Sequence, residues 1–326
     1  MRTLMSRRAF AAAAGALAFL GTGSKCATAQ VADPRPPTVD TSNPKEVADG
    51  VWVVSDNRVW LVPNIGIIVG KVAALVVDCG LGPANGEKVL ELARRLAGPR
   101  RLMLTLTHFH PEHGYGAQVF RRDATILYNR IQRDELAEKG ARYIELFRKT
   151  QSAAAAAALD GTTIVMPDVI YDGPRTEVDL GGRIVELHSV GTAHTRGDQI
   201  VFLPKERILF AGDLIEERMF PIFPWFPPLD TDLDGARWMQ VLSNLQRFDP
   251  DLIVPGHGDP GTIDIALGLA SHIDSVSRRV RALRQAGKAA DAILREAKPD
   301  IVSAYPRWEH PGLIDWEISY YAAQPA

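Results

Sequence analysis

The chain has 326 residues, of which 37 are Lys or Arg and 39 are Asp or Glu, so its formal charge at pH 7 is −2. Hydrophobic residues make up 46% of the chain and charged residues 23%, which is the balance of a folded globular protein rather than of a disordered or fibrous one. No basic excess is present to neutralise phosphates, so the composition argues against a nucleic-acid-binding protein.

The first 29 residues predict a signal peptide. A twin arginine at positions 7 and 8 precedes an apolar run over 10–20, and a small-x-small cleavage site lies near Ala29-Gln30. The apolar run is too short to be a stable membrane anchor. The paired arginines indicate the twin-arginine (Tat) export machinery as a partner, so we expect a periplasmic or secreted protein. Removal of the segment takes four basic and no acidic residues, which leaves a formal charge of −6.

Cysteine usage agrees with a fold that does not rely on disulfides. Of the two cysteines, Cys26 lies in the predicted signal peptide, so Cys79 is the only one expected in the mature protein. A single cysteine cannot form an internal disulfide. Stability must therefore come from core burial and from metal binding.

The first half of the chain predicts strands followed by a helix. Residues 30–47 are rich in Pro and polar residues and predict an extended leading segment, and 48–326 are expected to form one domain with C-terminal helices and a tail. A helix is predicted over Asn85–Ala97 and a further strand over Arg101–Leu106. Short β-type runs predict an antiparallel meander of Val51–Val54, Val59–Val62, Gly66–Val69 and Ala73–Val77.

The second half repeats the order of strands and then helices. One long helix is predicted over Arg130–Leu159, because its alanine run favours a helix. Helices are also predicted over Asp232–Phe248 and Thr262–Ala286, and the aromatic stretch Tyr305–Tyr321 predicts a packing tail. Strands are predicted at Ile164–Val169, Thr176–Leu180, Arg183–Ser189, Gln199–Leu203 and Arg207–Phe210. Two such units predict an α/β protein with two sheets face to face and helices outside.

The strongest chemical signal is the segment His108-Phe109-His110-Pro111-Glu112-His113, directly after a predicted strand. Alternate residues of an extended segment share a face, so His108 and His110 should point together. Imidazole and carboxylate groups are zinc ligands, and three histidines with one carboxylate in six residues can converge on one point. The segment therefore predicts a metal site.

Further candidate ligands follow later strands. His194, Asp213 and His257 each lie in a glycine-containing loop near the end of a predicted strand. With the first segment, these loops hold five of the eight histidines of the chain. Such clustering predicts one functional site built on a rigid scaffold.

In this order the residues resemble the metallo-β-lactamase-fold hydrolases. That family has an early Asp, then His-x-His-x-Asp-His, a later His, an Asp and a last His. Here Asp78, the 108–113 segment, His194, Asp213 and His257 match that pattern, over about residues 48–260. The resemblance implies an αββα sandwich of two mixed β-sheets with helices on both outer faces, and a metal site at one edge between the sheets.

The resemblance also implies two zinc positions that share one ligand. The first would be held by His108, His110 and His194, the second by Glu112, His113 and His257, and both by Asp213. Asp78 would orient a ligand imidazole or a loop rather than bind metal. The family has Asp where this chain has Glu112, and the extra methylene moves the carboxylate by roughly 1.5 Å. One or two Zn²⁺ per chain are therefore both open, and iron is an alternative metal.

The expected chemistry is hydrolysis by a metal-bound hydroxide, because zinc lowers the pKa of bound water to about 7. Glu112 and Asp213 are the expected catalytic carboxylates, and Glu112 could also protonate the leaving group. True β-lactamases of this fold tend to have Cys or Ser where this chain has Asp213, whereas glyoxalase II-like thioesterases, lactonases and phosphoesterases have Asp. The resemblance therefore favours a small-molecule carboxylic ester, lactone or thioester as substrate.

Three alternatives stay open at this stage. The site could hydrolyse β-lactams. With iron in place of zinc it could be a mono-iron dioxygenase that acts on persulfides, since three histidines and an open position also suit iron. Glu112 could instead mark a non-catalytic protein that binds a metal or another ligand.

The aromatic and proline-rich run 219–228 follows Asp213 and predicts either an apolar wall for the substrate or an aromatic plug between helices. The remaining three histidines, His188, His272 and His310, are predicted not to bind metal. The residues predicted to line the substrate pocket are Tyr115, Arg196, Phe220, Phe223, Trp225 and Phe226.

Overall fold

A computed structural model describes residue 33 and residues 35–224, 226, 229–230 and 232–324. The predicted signal peptide, its cleavage site and Trp225 lie outside these residues, so the predictions of export and of the domain boundaries stay predictions. Within the described part, no helix is both long and apolar enough to cross a membrane.

The first sheet contains seven strands. They are β1 (Lys45–Ala48), β2 (Val51–Val54), β3 (Ile65–Val69), β4 (Ala73–Val77), β5 (Arg101–Thr105), β6 (Ala124–Asn129) and β7 (Val169–Tyr171). They lie side by side in chain order. The first four pair antiparallel, and β4 to β7 pair parallel. Three strands of the predicted meander, β2 to β4, are confirmed, whereas β1 lies where no strand was predicted.

The second sheet contains five strands, which also lie side by side in chain order. They are β8 (Arg175–Asp179), β9 (Ile184–Gly191), β10 (Asp198–Leu203), β11 (Ile208–Glu216) and β12 (Leu252–His257). The pairs from β8 to β11 are antiparallel, whereas β12 lies parallel to β11. Both sheets are therefore mixed.

Helices cover both sheets. The α-helices of the described residues are α1 (Gly82–Ala97), α2 (Pro111–Gly114), α3 (Arg130–Thr150), α4 (Ala153–Ala158), α5 (Gly235–Asn244), α6 (Ile263–Gln285), α7 (Ala290–Ala304) and α8 (Ile314–Ala323). Helix α1 contacts the first sheet, and α5 and α6 contact β11 of the second. The predicted αββα sandwich is confirmed.

The inner strands are hydrophobic on both sides because each side faces a different core. In β4, Leu75 and Val77 belong to the cluster between the two sheets, whereas Ala74 and Val76 belong to the cluster that the helices cover. Successive side chains of a strand point to opposite faces, so a strand with both faces covered reads as a continuous apolar run.

Two predicted strands are wrong. Residues 59–62 form a turn in which the Val62 N–H donates to the Val59 carbonyl (3.1 Å), and Leu61 adopts a positive φ of 62°. Most of 164–169 is also irregular, and only Val169 enters a strand. Both segments are apolar because they pack against the core as loops, and apolar loops look like strands in the sequence.

The predicted helix over 130–159 is two helices. The backbone of Gln151 is extended, and the side chain of Ser152 accepts a hydrogen bond from the Ala155 N–H (3.2 Å), which begins α4. Serine is a preferred helix N-cap, so the break has a local cause that the alanine run concealed. The stretch predicted as a packing tail is partly helical, since it contains most of α8.

We expect Leu75→Ala to lower the free energy of unfolding by about 2–5 kcal/mol, because it removes a fully buried side chain between the sheets. Val72→Ala is the control, since Val72 is 51% exposed and its truncation should cost about 0.5 kcal/mol or less. Urea unfolding of both variants measures the difference. Equal losses would contradict the assignment of Leu75 to the core between the sheets.

Candidate metal centre

The seven side chains predicted to bind metal come together at one edge of the two sheets. They lie in the segment after β5, in the loop after β9, within β11 and at the end of β12. They form two groups, each with ligand atoms within 4.8 Å of one another: His108, His110, His194 and Asp213 in the first, and Glu112, His113, Asp213 and His257 in the second. Asp213 belongs to both groups, as the sequence pattern predicts.

In the first group, three imidazoles face one carboxylate. His194 Nε2 lies 3.2 Å from His110 Nδ1 and 4.0 Å from Asp213 Oδ2, and His108 Nε2 lies 3.7 Å from the same oxygen. Burial lowers the pKa of His108 and of His110 well below the ordinary value. These two imidazoles are therefore neutral at pH 7, which is the form that binds metal.

The second group is richer in oxygen. His113 Nε2 and His257 Nε2 lie 3.2 and 3.6 Å from Asp213 Oδ1. Burial raises the pKa of Glu112 to about 8. Burial acts on His113 in the opposite sense, but the carboxylates of Asp213 and Asp78 outweigh it and raise the pKa of His113 well above its ordinary value.

Buried polar atoms without a hydrogen-bond partner test whether this cluster suits metal ions. They include His108 Nε2, His113 Nε2, both carboxylate oxygens of Glu112 and both of Asp213. Buried polar groups are almost always hydrogen bonded, so this concentration points to a cation as the missing partner. Imidazole nitrogens and carboxylate oxygens are the donors that zinc and iron accept. The residues fit two metal positions.

Asp78 holds His113 in the orientation that metal binding requires. Its Oδ1 accepts from the Thr107 N–H (2.8 Å), and its Oδ2 lies 2.9 Å from Thr107 Oγ1 and 2.9 Å from His113 Nδ1. With Nδ1 engaged in this way, Nε2 of His113 is directed into the second group. This is the placement that the predicted orienting role needs.

The loop that carries His194 is fixed by residues that sequence reasoning missed. Asp198 accepts hydrogen bonds from the backbone N–H of His194 (2.7 Å) and of Thr195 (2.9 Å). On α3, Glu135 accepts from the Gly197 N–H (3.2 Å). Asp198 lies only four residues after His194, a local signal that could have been noticed.

A buried lysine forms ion pairs that connect the same loop, through Glu135, to the segment near residue 230. Lys139 Nζ lies 2.9 Å from Glu135 Oε1 and 2.7 Å from Asp232 Oδ2. Arg196, predicted to contact substrate, lies 3.3 Å from Asp232 and also pairs with Glu138. Its charge is therefore engaged by protein carboxylates. Glu135 and Lys139 stand one helical turn apart, but nothing in the sequence marks Lys139 as buried.

Three residues predicted to line the pocket pack elsewhere. Tyr115 is buried and its hydroxyl donates to the Gly140 carbonyl (3.0 Å), so it joins α2 to α3. Phe220 and Phe223 are fully buried, with Trp308 and Trp238 among their ring neighbours. The structure thus corrects the predicted apolar wall at these two positions to the alternative aromatic plug, because the C-terminal helices cover them.

Phe226 contacts the site through the ring of Tyr143. Its ring lies 5.2 Å from that of Tyr143, which in turn stacks on His110 at 5.5 Å. Trp225, also predicted as a pocket residue, lies outside the described residues. An aromatic layer from α3 therefore backs the first group.

A narrow cleft reaches the second group at His257, which at 5% is the most exposed of the seven candidate ligands. One wall is the C-terminal segment, where the Glu309 N–H donates to the Arg218 carbonyl (2.8 Å). This contact places His310 beside Trp60, with ring centroids 4.9 Å apart. Burial lowers the pKa of His310 to about 4, so it is neutral at pH 7.

Acidic side chains outnumber basic ones in this cleft. Its lining contains Asp56, Glu217 and Glu309, but only one arginine, Arg58. Arg58 already pairs with Glu217, with Asp259 (2.9 Å) and with Glu309 (3.5 Å). The cleft therefore offers little free positive charge to an anion.

The other predicted non-ligands lie outside both groups. His272 Nε2 is 2.9 Å from a carboxylate oxygen of Glu317, and both residues are fully buried between α6 and α8. His188 Nε2 lies 2.7 Å from Glu186 on the same strand. Both histidines thus have structural partners.

Comparison with known proteins agrees with this geometry. A family model described as the metallo-beta-lactamase superfamily matches residues 58–257. Among curated proteins, the chain is 26% identical over 216 residues to the 2,4-dinitroanisole O-demethylase subunit alpha of Nocardioides sp. (strain JS1661), which covers 64% of this chain and 55% of that protein. It is 24% identical over 206 residues to the acyl-coenzyme A thioesterase MBLAC2 of Gallus gallus, covering 60% of this chain and 72% of that one.

A linear primary-alkylsulfatase of Pseudomonas sp. (strain ATCC 19151) is 23% identical over 219 residues, which is 57% of this chain and 39% of that protein. The chain therefore spans about half or less of the demethylase subunit and the alkylsulfatase. Among solved structures, a metallo-beta-lactamase from Pontibacter korlensis has a TM-score of 0.55 at 21% identity, covering 70% of this chain and 98% of that one. The sec-alkylsulfatase Pisa1 from Pseudomonas sp. has a TM-score of 0.62 at 15% identity, covering 86% and 49%.

We expect Asp78→Asn to weaken metal binding by about 10- to 100-fold, because the amide cannot hold His113 as the carboxylate does. Titration of the metal-depleted protein with Zn²⁺ measures the change. Asp160→Asn, at an exposed position, is the control and should bind zinc as the natural chain does. Unchanged zinc affinity in Asp78→Asn would show that Asp78 serves the loop alone.

Proposed function

Because the chain belongs to the metallo-beta-lactamase superfamily, whose members are metal-dependent hydrolases, we propose that it hydrolyses carboxylic esters, lactones or thioesters. The observation that carries this proposal is the Asp213 carboxylate, which belongs to both ligand groups. A carboxylate shared by two candidate metal positions would suit hydrolysis of an acyl group, and a thioesterase is among the relatives.

Each candidate ligand has a role in this proposal. His108, His110 and His194 would hold the first metal, Glu112, His113 and His257 would hold the second, and Asp213 belongs to both groups. When bound, divalent zinc would activate a water nucleophile at neutral pH and polarise the carbonyl of the substrate. The nearly complete burial of these side chains excludes bulk water and strengthens each electrostatic interaction in the site.

Glu112 is the residue best placed to move a proton. Both of its carboxylate oxygens are buried and lack a hydrogen-bond partner within the protein. Burial raises its pKa to about 8, so the group can accept or release a proton near neutral pH. We propose that, when Glu112 does not hold the second metal, it passes this proton to the oxygen or sulfur of the leaving group.

The cleft beside His257 favours uncharged substrates. Its carboxylates outnumber Arg58, whose charge they already engage, so an anionic substrate would meet unfavourable potential at this entrance. Trp60 and the neutral His310 also line this cleft, so a substrate with an apolar group would meet aromatic rings there. We therefore propose a neutral acyl substrate rather than a sulfate ester or another anion.

A substrate panel tests the activity. We expect the zinc-loaded protein to hydrolyse p-nitrophenyl butyrate, a lactone or a neutral thioester, and to lose activity with a chelator and regain it with Zn²⁺. His110→Ala should lower kcat/KM by about 100-fold or more because it removes a metal ligand. His188→Ala is the matched control, since His188 lies outside both groups, and should leave kcat/KM unchanged.

Other outcomes of the panel would overturn the proposal. Hydrolysis confined to a β-lactam or to an alkyl sulfate would assign a different substrate class. Native iron with oxygen uptake on a persulfide would assign the oxygenase alternative. Bound zinc without hydrolysis of any substrate would favour the non-catalytic alternative.

Substrate charge gives a second prediction. At low salt, kcat/KM for the neutral thioester should exceed that for an otherwise similar thioester with a carboxylate in its acyl chain, because the acidic cleft repels the anion. The difference should shrink as salt rises, since salt screens exposed charges. Glu309→Gln should reduce the discrimination, whereas Glu177→Gln, distant from the cleft, should not. Equal rates for both thioesters at low salt would contradict this role of the cleft.

We also propose that the protein is exported through the Tat route before it acts. The support is the twin arginine at positions 7 and 8, followed by the apolar run and the cleavage site near Ala29-Gln30. Replacement of both arginines by lysine should keep the protein in the cytoplasm, as measured by fractionation and immunoblot. Arg2→Lys is the control and should be exported. Export of the double variant would contradict the Tat assignment.

A further inference from the structure

Glu216 is a buried carboxylate that the site described so far does not use. It ends β11, three residues after Asp213, and is 1% exposed. Its Oε2 accepts a hydrogen bond from the Ile222 N–H (2.9 Å), whereas its Oε1 has no hydrogen-bond partner. An acidic group removed from water needs more than one such contact, so Glu216 has an unmet need for a positive partner.

The position of Glu216 in the sheet places it next to the second ligand group. Glu216 pairs with His257 in the register between β11 and β12, and Asp213 lies on the same strand. Its strongest electrostatic neighbours are Asp213, Glu112 and His113, all members of that group.

The charge balance of this region calls for a cation. Glu112, Asp213 and Glu216 are three buried carboxylates. Four histidines lie within 4.0 Å of Asp213, and among the described residues no Lys or Arg forms an ion pair with any of the three carboxylates. Both oxygens of Glu112 and one oxygen of Glu216 have no hydrogen-bond partner.

We propose that Glu216 is the third carboxylate of the second metal position and sets how tightly that position holds a divalent cation. It stands outside the four residues whose ligand atoms lie within 4.8 Å of one another, so it acts from the next layer of the site. Carboxylates in that layer commonly change metal affinity by 10- to 100-fold. The inference rests on the proposed metal site, but it does not depend on which substrate is hydrolysed.

The test is a calorimetric titration of the metal-depleted protein with Zn²⁺. The zinc that stays bound after gel filtration is then measured by metal analysis. Glu216→Gln keeps the shape of the side chain and removes its charge. We expect the first equivalent of zinc to bind as in the natural chain and the second to bind about tenfold more weakly or worse. Glu112→Gln should weaken the same equivalent.

Glu317→Gln is the matched control. Glu317 is also fully buried and also has one carboxylate oxygen without a hydrogen-bond partner, but it pairs with His272 away from the site. This variant should bind both equivalents as the natural chain does. A general effect of removing a buried carboxylate would instead weaken zinc binding in both variants and would overturn the proposal.

Two results would contradict the role of Glu216. One is a second equivalent that binds Glu216→Gln within twofold of the natural chain, and the other is uptake of a single equivalent by the natural chain. Retention of the first equivalent, together with the thermal midpoint, shows that each variant is folded. Because no substrate is used, failure here is distinct from failure of the proposed hydrolysis, which the substrate panel measures separately.

Discussion

The constraint on which this site depends is the burial of carboxylates and imidazoles that cannot satisfy one another. Asp213 lies between two groups of ligands, and neither of its oxygens has a hydrogen-bond partner. Isolated buried charge is costly, and a divalent cation is the partner that relieves most of that cost at once. Metal binding and the stability of this edge of the fold should therefore be coupled, as in other proteins whose ligands converge only in the folded state.

The two sheets bring these buried groups together because the strand ends that carry them lie at the same edge. The ligands come from the ends of β5 and β12, from β11 and from the loop after β9, and those elements are fixed by apolar layers on both faces. Hydrogen bonds then orient the ligands locally. Asp78 fixes one imidazole of the second group, and Asp198 with Glu135 fixes the loop of His194. Rigid support of this kind preserves the geometry that metal chemistry requires.

Part of the surroundings of the site lies outside the residues that match the family model. The match to the family model ends at His257, yet the segment around Glu309 and His310 forms a wall of the cleft beside that histidine. We propose that the excess of carboxylates there affects substrate choice and that Glu216 affects metal affinity. Both features are electrostatic, so ionic strength and metal supply are the natural variables with which to examine them.

The sequence by itself predicted the sandwich and the candidate ligands that the structure brings together, because these ligands follow strands in short glycine-containing motifs and the strands read as apolar runs. It did not reveal Glu216, Lys139 or Glu135, since an acidic or basic side chain in a sequence is assumed to be solvated unless its partners are known. Those partners come from distant elements, as when Lys139 on α3 meets Asp232. The sequence was equally unable to place Phe220 and Phe223, because an aromatic run can line a pocket or pack in a core. Only the packing of the C-terminal helices against them decided in favour of the core, because burial is a property of the assembled layers and not of a segment.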